Sequence, residues 1–195
     1  LLRDFRHESR HTADCASFLA FSGELAAAGS PEGLLDRLTA FYQTRGVGLL
    51  GMGQVFRARR TGDGAELVPV EDRPPVRLAD LVGYRQQKDL LIRNTEAFLR
   101  GKGSNNVLLY GDAGTGKSTS IQALVNEYAD QGLRLIELYK EQYDLIPDIL
   151  RQVKGRNYRF LLFLDDLSFE ENETSYKYLK AVMEGGAEAP PENVR

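Results

Sequence analysis

The sequence predicts a mixed α/β fold: a parallel sheet with helices on both faces, preceded by a small region of helices and a β-hairpin. Three observations predict it. From Leu78 onward, helical and strand-like segments alternate, the order that a parallel sheet with crossover helices requires. The apolar stretch Asn105-Asn106-Val107-Leu108-Leu109-Tyr110 feeds the glycine-rich run Gly111-Asp112-Ala113-Gly114-Thr115-Gly116-Lys117-Ser118. That run opens a segment with Ile121, Leu124, Val125 and Tyr128 at helical spacing. A second apolar run, Phe160 to Leu164, ends in the acid pair Asp165-Asp166.

The elements follow in order. Phe18, Leu19, Phe21, Leu25 and Ala26 within Thr12–Ala28 predict a helix that stops at Gly29. Ser30-Pro31 reads as an N-cap and first helical position, starting a second helix whose apolar face carries Leu34, Leu35, Leu38, Phe41 and Tyr42 and which Gly46 ends. Val55-Phe56-Arg57-Ala58 and Glu66-Leu67-Val68 flank Thr61-Gly62-Asp63-Gly64, the turn chemistry of a β-hairpin. Glu71-Asp72-Arg73-Pro74-Pro75 reads as a linker, so residues 1–75 are expected to form an N-terminal region and residues 76–195 the core. In that core we expect a helix over 85–99 and a buried strand over 105–110. A helix over 117–129 closed by Gly132, a strand over 133–138, a helix over 145–153 ended by Gly155 and a strand over 158–164 complete the reading.

Gly46-Val47-Gly48-Leu49-Leu50-Gly51 also fits the dinucleotide pattern G-x-G-x-x-G, but in the wrong setting. That fingerprint follows a strand and opens a helix, whereas these glycines follow a helix and lead into a strand. They are read as a loop.

Composition bounds the function. A chain of 195 residues with 42% hydrophobic and 27% charged residues has enough apolar material for one full domain and a small appendage. The net charge of -3 does not indicate general nucleic-acid binding, which ordinarily shows as a basic domain. Arg57-Ala58-Arg59-Arg60 is a local basic patch, read as solvated charges at a hairpin end with a nucleic-acid contact as the alternative. Tyr139, Tyr143, Tyr158, Tyr176 and Tyr178 are read as half-buried packing residues ahead of base-stacking ones. A lone cysteine, Cys15, cannot form an internal disulfide, which together with the lack of a membrane-length apolar run points to a cytoplasmic location.

Residues 111–118 fit the phosphate-loop pattern G-x-x-x-x-G-K-[ST] in the setting that pattern needs. Its glycines let the backbone N–H groups of Gly111, Asp112, Ala113, Gly114, Thr115 and Gly116 turn toward phosphates. The following helix presents its N-terminal N–H groups, including those near Ser118 and Thr119, to the same anion. Lys117 supplies a cation for the β and γ phosphates, and Ser118 a hydroxyl for Mg²⁺. The run ending in Asp165-Asp166 has the form of a Walker B element, in which Asp165 holds Mg²⁺ and Asp166 orients the attacking water. Glu170, Glu171 and Glu173 are read as solvated loop acids. The expected architecture is therefore a P-loop NTPase sheet. The extra strand at 133–138 and the doubled acid favour the AAA+/RecA-like branch.

Leu81-Val82-Gly83-Tyr84, Gln86-Gln87-Lys88, Asn94-Thr95-Glu96-Ala97-Phe98-Leu99, Asn105 through Asp112, and Asp165-Asp166-Leu167-Ser168-Phe169-Glu170 together resemble the bacterial AAA+ ATPase family known as domain of unknown function 815. The resemblance covers about Leu78 to the C-terminus. It implies ATP/ADP and Mg²⁺ as cofactors, and hydrolysis in a homo-oligomer of the full-length protein. That hydrolysis would be coupled to remodelling or loading of an unknown macromolecular partner. It also implies that Leu81, Val82 and the backbone near Gly83 lie against the adenine. Many AAA+ proteins carry Glu where this sequence has Asp166. The resemblance further predicts a strand at Glu192–Arg195 and places the sensor residue, arginine finger and helical lid beyond Arg195, so this sequence is expected to be truncated at its C-terminus. Two other functions fit the same motifs: a nucleotide-dependent switch with negligible turnover, and a P-loop kinase acting on a small acceptor.

Overall fold

The structure is a computed structural model and describes residues 21–45, 48–62, 64–70, 72–165 and 190–195. Two compact units divide the chain between Gly53 and Gln54.

In the first unit, residues 21–26 are helical, and they are the part of the first expected helix that lies within the described residues. Helix α1 spans Pro31–Arg45. Ser30 caps it as its sequence predicts: the Ser30 hydroxyl accepts the Gly33 N–H at 3.1 Å, and its carbonyl accepts the Leu34 N–H. Proline at the first helical position and Glu32 in the first turn suit the same end. The Phe41 ring stacks on Phe21 with centroids 3.7 Å apart. A short helix, α2 (Leu49–Met52), follows. Leu49, Leu50 and Gly51 of the G-x-G-x-x-G run thus belong to a helical turn where a loop was expected, and Gly46 and Val47 lie outside the described residues.

The second unit is built on a four-stranded sheet with order β2-β1-β3-β4, where β1 is Val55–Thr61, β2 Gly64–Pro69, β3 Leu133–Leu138 and β4 Arg159–Leu164. β1 and β2 form the expected antiparallel hairpin, with Arg59 opposite Glu66. The hairpin differs from expectation in its place: it does not stand apart with the N-terminal helices but joins the central sheet. β1 runs parallel to β3 with Val55 opposite Leu135, and β3 runs parallel to β4 with Leu135 opposite Leu161. The reason is burial. Val55, Phe56 and Ala58 project alternately to both faces, and all three are buried, which an isolated hairpin could not achieve.

Helices cover both faces. On one face, helices α3 (Arg85–Leu99) and α4 (Lys117–Tyr128) contribute Leu91, Phe98, Ile121, Leu124, Val125 and Tyr128 to a cluster with Val55, Leu133 and Leu135. On the other, helix α5 (Ile146–Val153) buries Ile146, Ile149, Leu150 and Val153. β3, buried along nearly its whole length although Arg134 and Glu137 interrupt its apolar residues, is a two-sided central strand between β1 and β4. Of its two charged members, Glu137 is half-buried and Arg134 is buried. Arg134 donates to the carbonyls of Ala129 and Leu133 and lies 4.2 Å over the Tyr158 ring. Gly132 turns the chain from α4 into β3 through a 3-10 turn with φ 89°, a conformation that favours glycine.

One expected element is absent. Residues 105–110 belong to no strand, and Leu108 and Tyr110 are 68% and 89% exposed. Among the described residues their backbone pairs with no strand, and a strand exists only where a ladder forms. What holds the segment is local: Asn94 of α3 donates to the Asn105 carbonyl at 2.8 Å and accepts the Asn105 N–H at 2.9 Å. Leu109 packs against the α3/α4 cluster. Residues 193–195 lie parallel to β4: Phe160 N–H donates to Asn193 O, and Leu162 N–H to Arg195 O.

The basic patch of the hairpin is paired with acids residue by residue. Arg57 meets Glu137 at 3.1 Å, Arg59 meets Glu66 at 2.6 Å, and Arg60 grips Asp144 with both terminal nitrogens. The hydrogen bond from Arg60 holds the Asp144 carboxyl below its ordinary value of 3.8, while the same bond raises the guanidinium further. A depressed carboxyl favours the folded state above its unfolded pKa and loses that contribution as pH falls through the folded value. The melting temperatures of the wild type and R60M are therefore expected to differ at pH 7 and to converge as pH drops below about 3.8, measured by circular dichroism.

Candidate nucleotide-binding site

The glycine-rich run forms a loop that closes onto the start of α4. Gly116 is the N-cap of that helix, with φ 82° and ψ 19°, and no side chain caps it. The N–H groups of the first turn therefore point outward with the positive end of the helix dipole behind them. Gly111, at φ 141°, occupies a region essentially closed to residues with a Cβ. Thr115 Oγ1 donates to the Asp112 carbonyl at 2.8 Å and braces the turn from inside. The first helical bond, Ser120 N–H to Gly116 O at 2.8 Å, fixes the exit.

Lys117 lies across this loop. Its Nζ donates to the carbonyls of Gly111 and Asp112, each at 2.8 Å, so the ammonium sits against the loop's own entry. These acceptors are neutral. A phosphate oxygen would compete for the same donor with a full charge, and a charge-assisted bond is roughly twice as strong. Ser118 and Thr119 follow in the first turn and are half-buried.

Asp165 is delivered by β4. It stands exposed immediately past the strand's last residue, Leu164, and its backbone N–H approaches Leu138 O at 3.4 Å, extending the ladder by a step. The buried Tyr143 directs its hydroxyl to the Asp165 carbonyl at 3.4 Å. Leu109, two residues before the loop, and Phe163, two residues before Asp165, pack against the same buried cluster. Asp166 lies outside the described residues, as do Glu170, Glu171, Glu173, Tyr176 and Tyr178. Of the remaining tyrosines, Tyr143 and Tyr158 are buried, and Tyr139 is exposed beside Arg57.

The residues expected to touch the base are placed on the approach to α3. Leu81 is half-buried, and its carbonyl accepts a hydrogen bond from Lys88 Nζ; Val82 is 93% exposed. Gly83, at φ 81°, and Tyr84, at φ 49°, are consecutive left-handed residues that turn the chain into the helix. The structure brings Leu81–Gly83 next to α3 but does not enclose Val82. The segment leading to them is bound to α4: Asn126 donates to the carbonyls of Pro74 and Val76, and the 3-10 turn Leu78–Asp80 packs on the same helix. Sequence reasoning missed Asn126, Arg73 and Asn94, because a polar residue on a helix carries no local sign of a distant backbone partner.

The oxygen chemistry present suits Mg²⁺. Ser118 offers a hydroxyl and Asp165 a carboxylate, both hard donors. Among the described residues no group of three or more His, Cys, Asp or Glu side chains could hold an ion, so Mg²⁺ here would draw ligands mainly from phosphates and water. Among those residues, too, no helix is long and apolar enough to cross a membrane.

Comparisons with known proteins identify the family. The family profile described as Protein of unknown function (DUF815) matches residues 53–195. The Replication factor C large subunit of Staphylothermus marinus is 36% identical over 90 residues, covering 46% of this chain and 21% of its own length. That of Methanococcus vannielii is 31% identical over 104 residues, covering 50% of this chain and 21% of its own. That of Aeropyrum pernix is 32% identical over 91 residues, covering 46% and 18% respectively. The chain thus spans about a fifth of the length of the curated relatives it matches. No solved structure matches it.

Proposed function

Because the chain belongs to the family Protein of unknown function (DUF815), an AAA+ family of the P-loop NTPase superfamily, we propose that the full-length protein binds ATP with Mg²⁺ in the Gly111–Ser118 loop and hydrolyses it as a homo-oligomer. Hydrolysis is coupled to remodelling or loading of a macromolecular partner. The observation that carries this reading is the uncapped start of α4, with Lys117 folded across its loop and Asp165 exposed just past the end of β4.

Each residue has a part. The backbone N–H groups from Gly111 to Gly116, with those of Ser118 and Thr119, hold the phosphates, and Lys117 neutralises the β and γ oxygens. Ser118 and Asp165 hold Mg²⁺, which when bound offsets the charge that develops on the transferred phosphoryl group. Asp166 orients the attacking water, and Leu81, Val82 and Gly83 receive the adenine. The order of strands supports the AAA+/RecA-like branch over small-molecule kinases. β4 has β3 on one side and residues 193–195 on the other, so the segment that leads into the phosphate loop is not its neighbour.

The name of the curated relatives places them in replication, and a partner in that class is one that this protein could load or remodel. Asp166, shorter than the Glu many AAA+ proteins use, favours a second reading: a nucleotide-dependent switch with little turnover. Steady-state phosphate release separates the readings. The full-length protein is expected to release phosphate, and Lys117→Ala and Asp166→Asn to abolish release. Equal rates in all three overturn the hydrolytic assignment, and tight ATP binding without release selects the switch.

A further inference from the structure

We propose that Asn126 is a positioning residue for recognition of the nucleobase: it sets where Leu81–Gly83 stand relative to the phosphate loop. The inference rests on the nucleotide-binding reading above and adds a residue to it that no motif contains.

Asn126 lies on α4, the helix that begins at Lys117, nine residues or about 13.5 Å along a rigid rod at ~1.5 Å per residue. Both hydrogens of its amide and the amide oxygen are used, and every bond goes to the irregular segment that leads toward the base residues. Nδ2 donates to Pro74 O at 3.1 Å and to Val76 O at 2.9 Å, while Oδ1 accepts from Arg73 Nη1 at 3.2 Å. Its own carbonyl accepts from Arg77 Nη1 at 3.1 Å. Arg73 in turn donates to Gln54 Oε1 at 2.7 Å, joining the hub to the start of β1. From Arg77 the path to the base segment is short and stiff. Arg77 N–H donates to Asp80 Oδ2 at 2.7 Å and its carbonyl accepts the Asp80 N–H, closing the 3-10 turn whose next residue is Leu81. Beyond it, Lys88 holds the Leu81 carbonyl from α3.

Leu81–Gly83 are therefore suspended between two anchors, one on the phosphate-loop helix through Asn126 and one on α3 through Lys88. The phosphate loop itself makes none of these bonds. Its geometry depends on Gly111, Thr115, Gly116 and Lys117. Loosening the Asn126 anchor should therefore move the base contacts and leave the phosphate contacts in place.

Asn126→Asp is the sharpest probe, since it keeps size, shape and the bond from Arg73 but turns the donor facing two carbonyls into an acceptor that repels them. Asn126→Ala removes all three side-chain bonds. The measurement is competition by MgATP and by magnesium tripolyphosphate, which has no base, against a fluorescent ATP analogue on the full-length protein. In both variants the ATP affinity is expected to fall about tenfold while that of tripolyphosphate changes less than about twofold. The ratio is taken within one preparation, so a partly misfolded fraction does not alter it. Equal weakening of both ligands, or no change in either, overturns the proposal. If the wild type binds neither ligand, the nucleotide-binding reading itself falls and takes this one with it. If the wild type binds tripolyphosphate as tightly as ATP, the phosphate loop stands and base recognition through this segment is overturned.

Discussion

Lys117→Ala is expected to weaken MgATP binding by about 10- to 150-fold, because each hydrogen bond to a charged group contributes roughly 1.5–3 kcal/mol. The direction follows from the site's geometry. The ammonium already lies against the Gly111 and Asp112 carbonyls at 2.8 Å, on the rim of the loop where phosphate oxygens would sit. Alanine deletes the donor and the charge while leaving Gly111, Gly114 and Gly116, and hence the loop's backbone, unchanged. The fold should tolerate the substitution, since the ammonium's partners are loop carbonyls that water can satisfy. Titration with a fluorescent ATP analogue, alongside a melt showing unaltered Tm, checks both halves. Affinity within threefold of wild type would remove Lys117 from the site. Lys117→Arg is a useful companion, because a planar fork cannot replace a compact ammonium in so tight a loop, and its binding should also fall.

Phe98→Ala is the substitution with the largest expected effect on stability, about 3–5 kcal/mol by denaturant unfolding. Phe98 is buried near the end of α3, inside the cluster that joins α3, α4 and the sheet. Two guanidinium groups also lie near its ring, Arg159 at 5.6 Å and Arg195 at 5.4 Å from the centroid. Truncation would leave a cavity and remove both cation–π contacts. Phe98→Leu separates the two causes: it retains most of the volume and is expected to cost about 0.5–2 kcal/mol, the share belonging to the ring's face. Equal losses for Leu and Ala would show that the arginines, and not the packing, set the value. A neighbouring device acts on the same helix: Tyr128 donates to Glu96 at 3.0 Å, and burial, then that bond, push the phenol up to about 12, so it remains a donor throughout the neutral range.

Most helices and paired strands were legible because their signals are local. Ser30-Pro31 sets a helix start through its own hydroxyl and its restricted φ, and Gly132 sets a stop through its left-handed conformation. The hairpin declared itself through Thr61-Gly62-Asp63-Gly64, and β3 through six residues nearly all buried. Residues 105–110 show where this logic fails. Their apolar run reads as a buried strand, yet only Leu109 reaches the core, because a strand is defined by its neighbours and not by its composition.

What the sequence alone determined is a pair of motifs: a glycine-rich run ending in Lys117 and Ser118, and an apolar run ending in Asp165. Both are recognised by residue type at short spacing, although the strand that ends in Leu164 forms only by pairing with β3. Only the tertiary structure decided that the hairpin completes the central sheet and that Arg57, Arg59 and Arg60 each meet an acid. It alone placed residues 193–195 on the free side of β4 and bound Asn126 to the linker before Leu81. Most of these contacts join residues far apart in the chain. Their formation depends on which surfaces burial brings together, and no local pattern of residues encodes that.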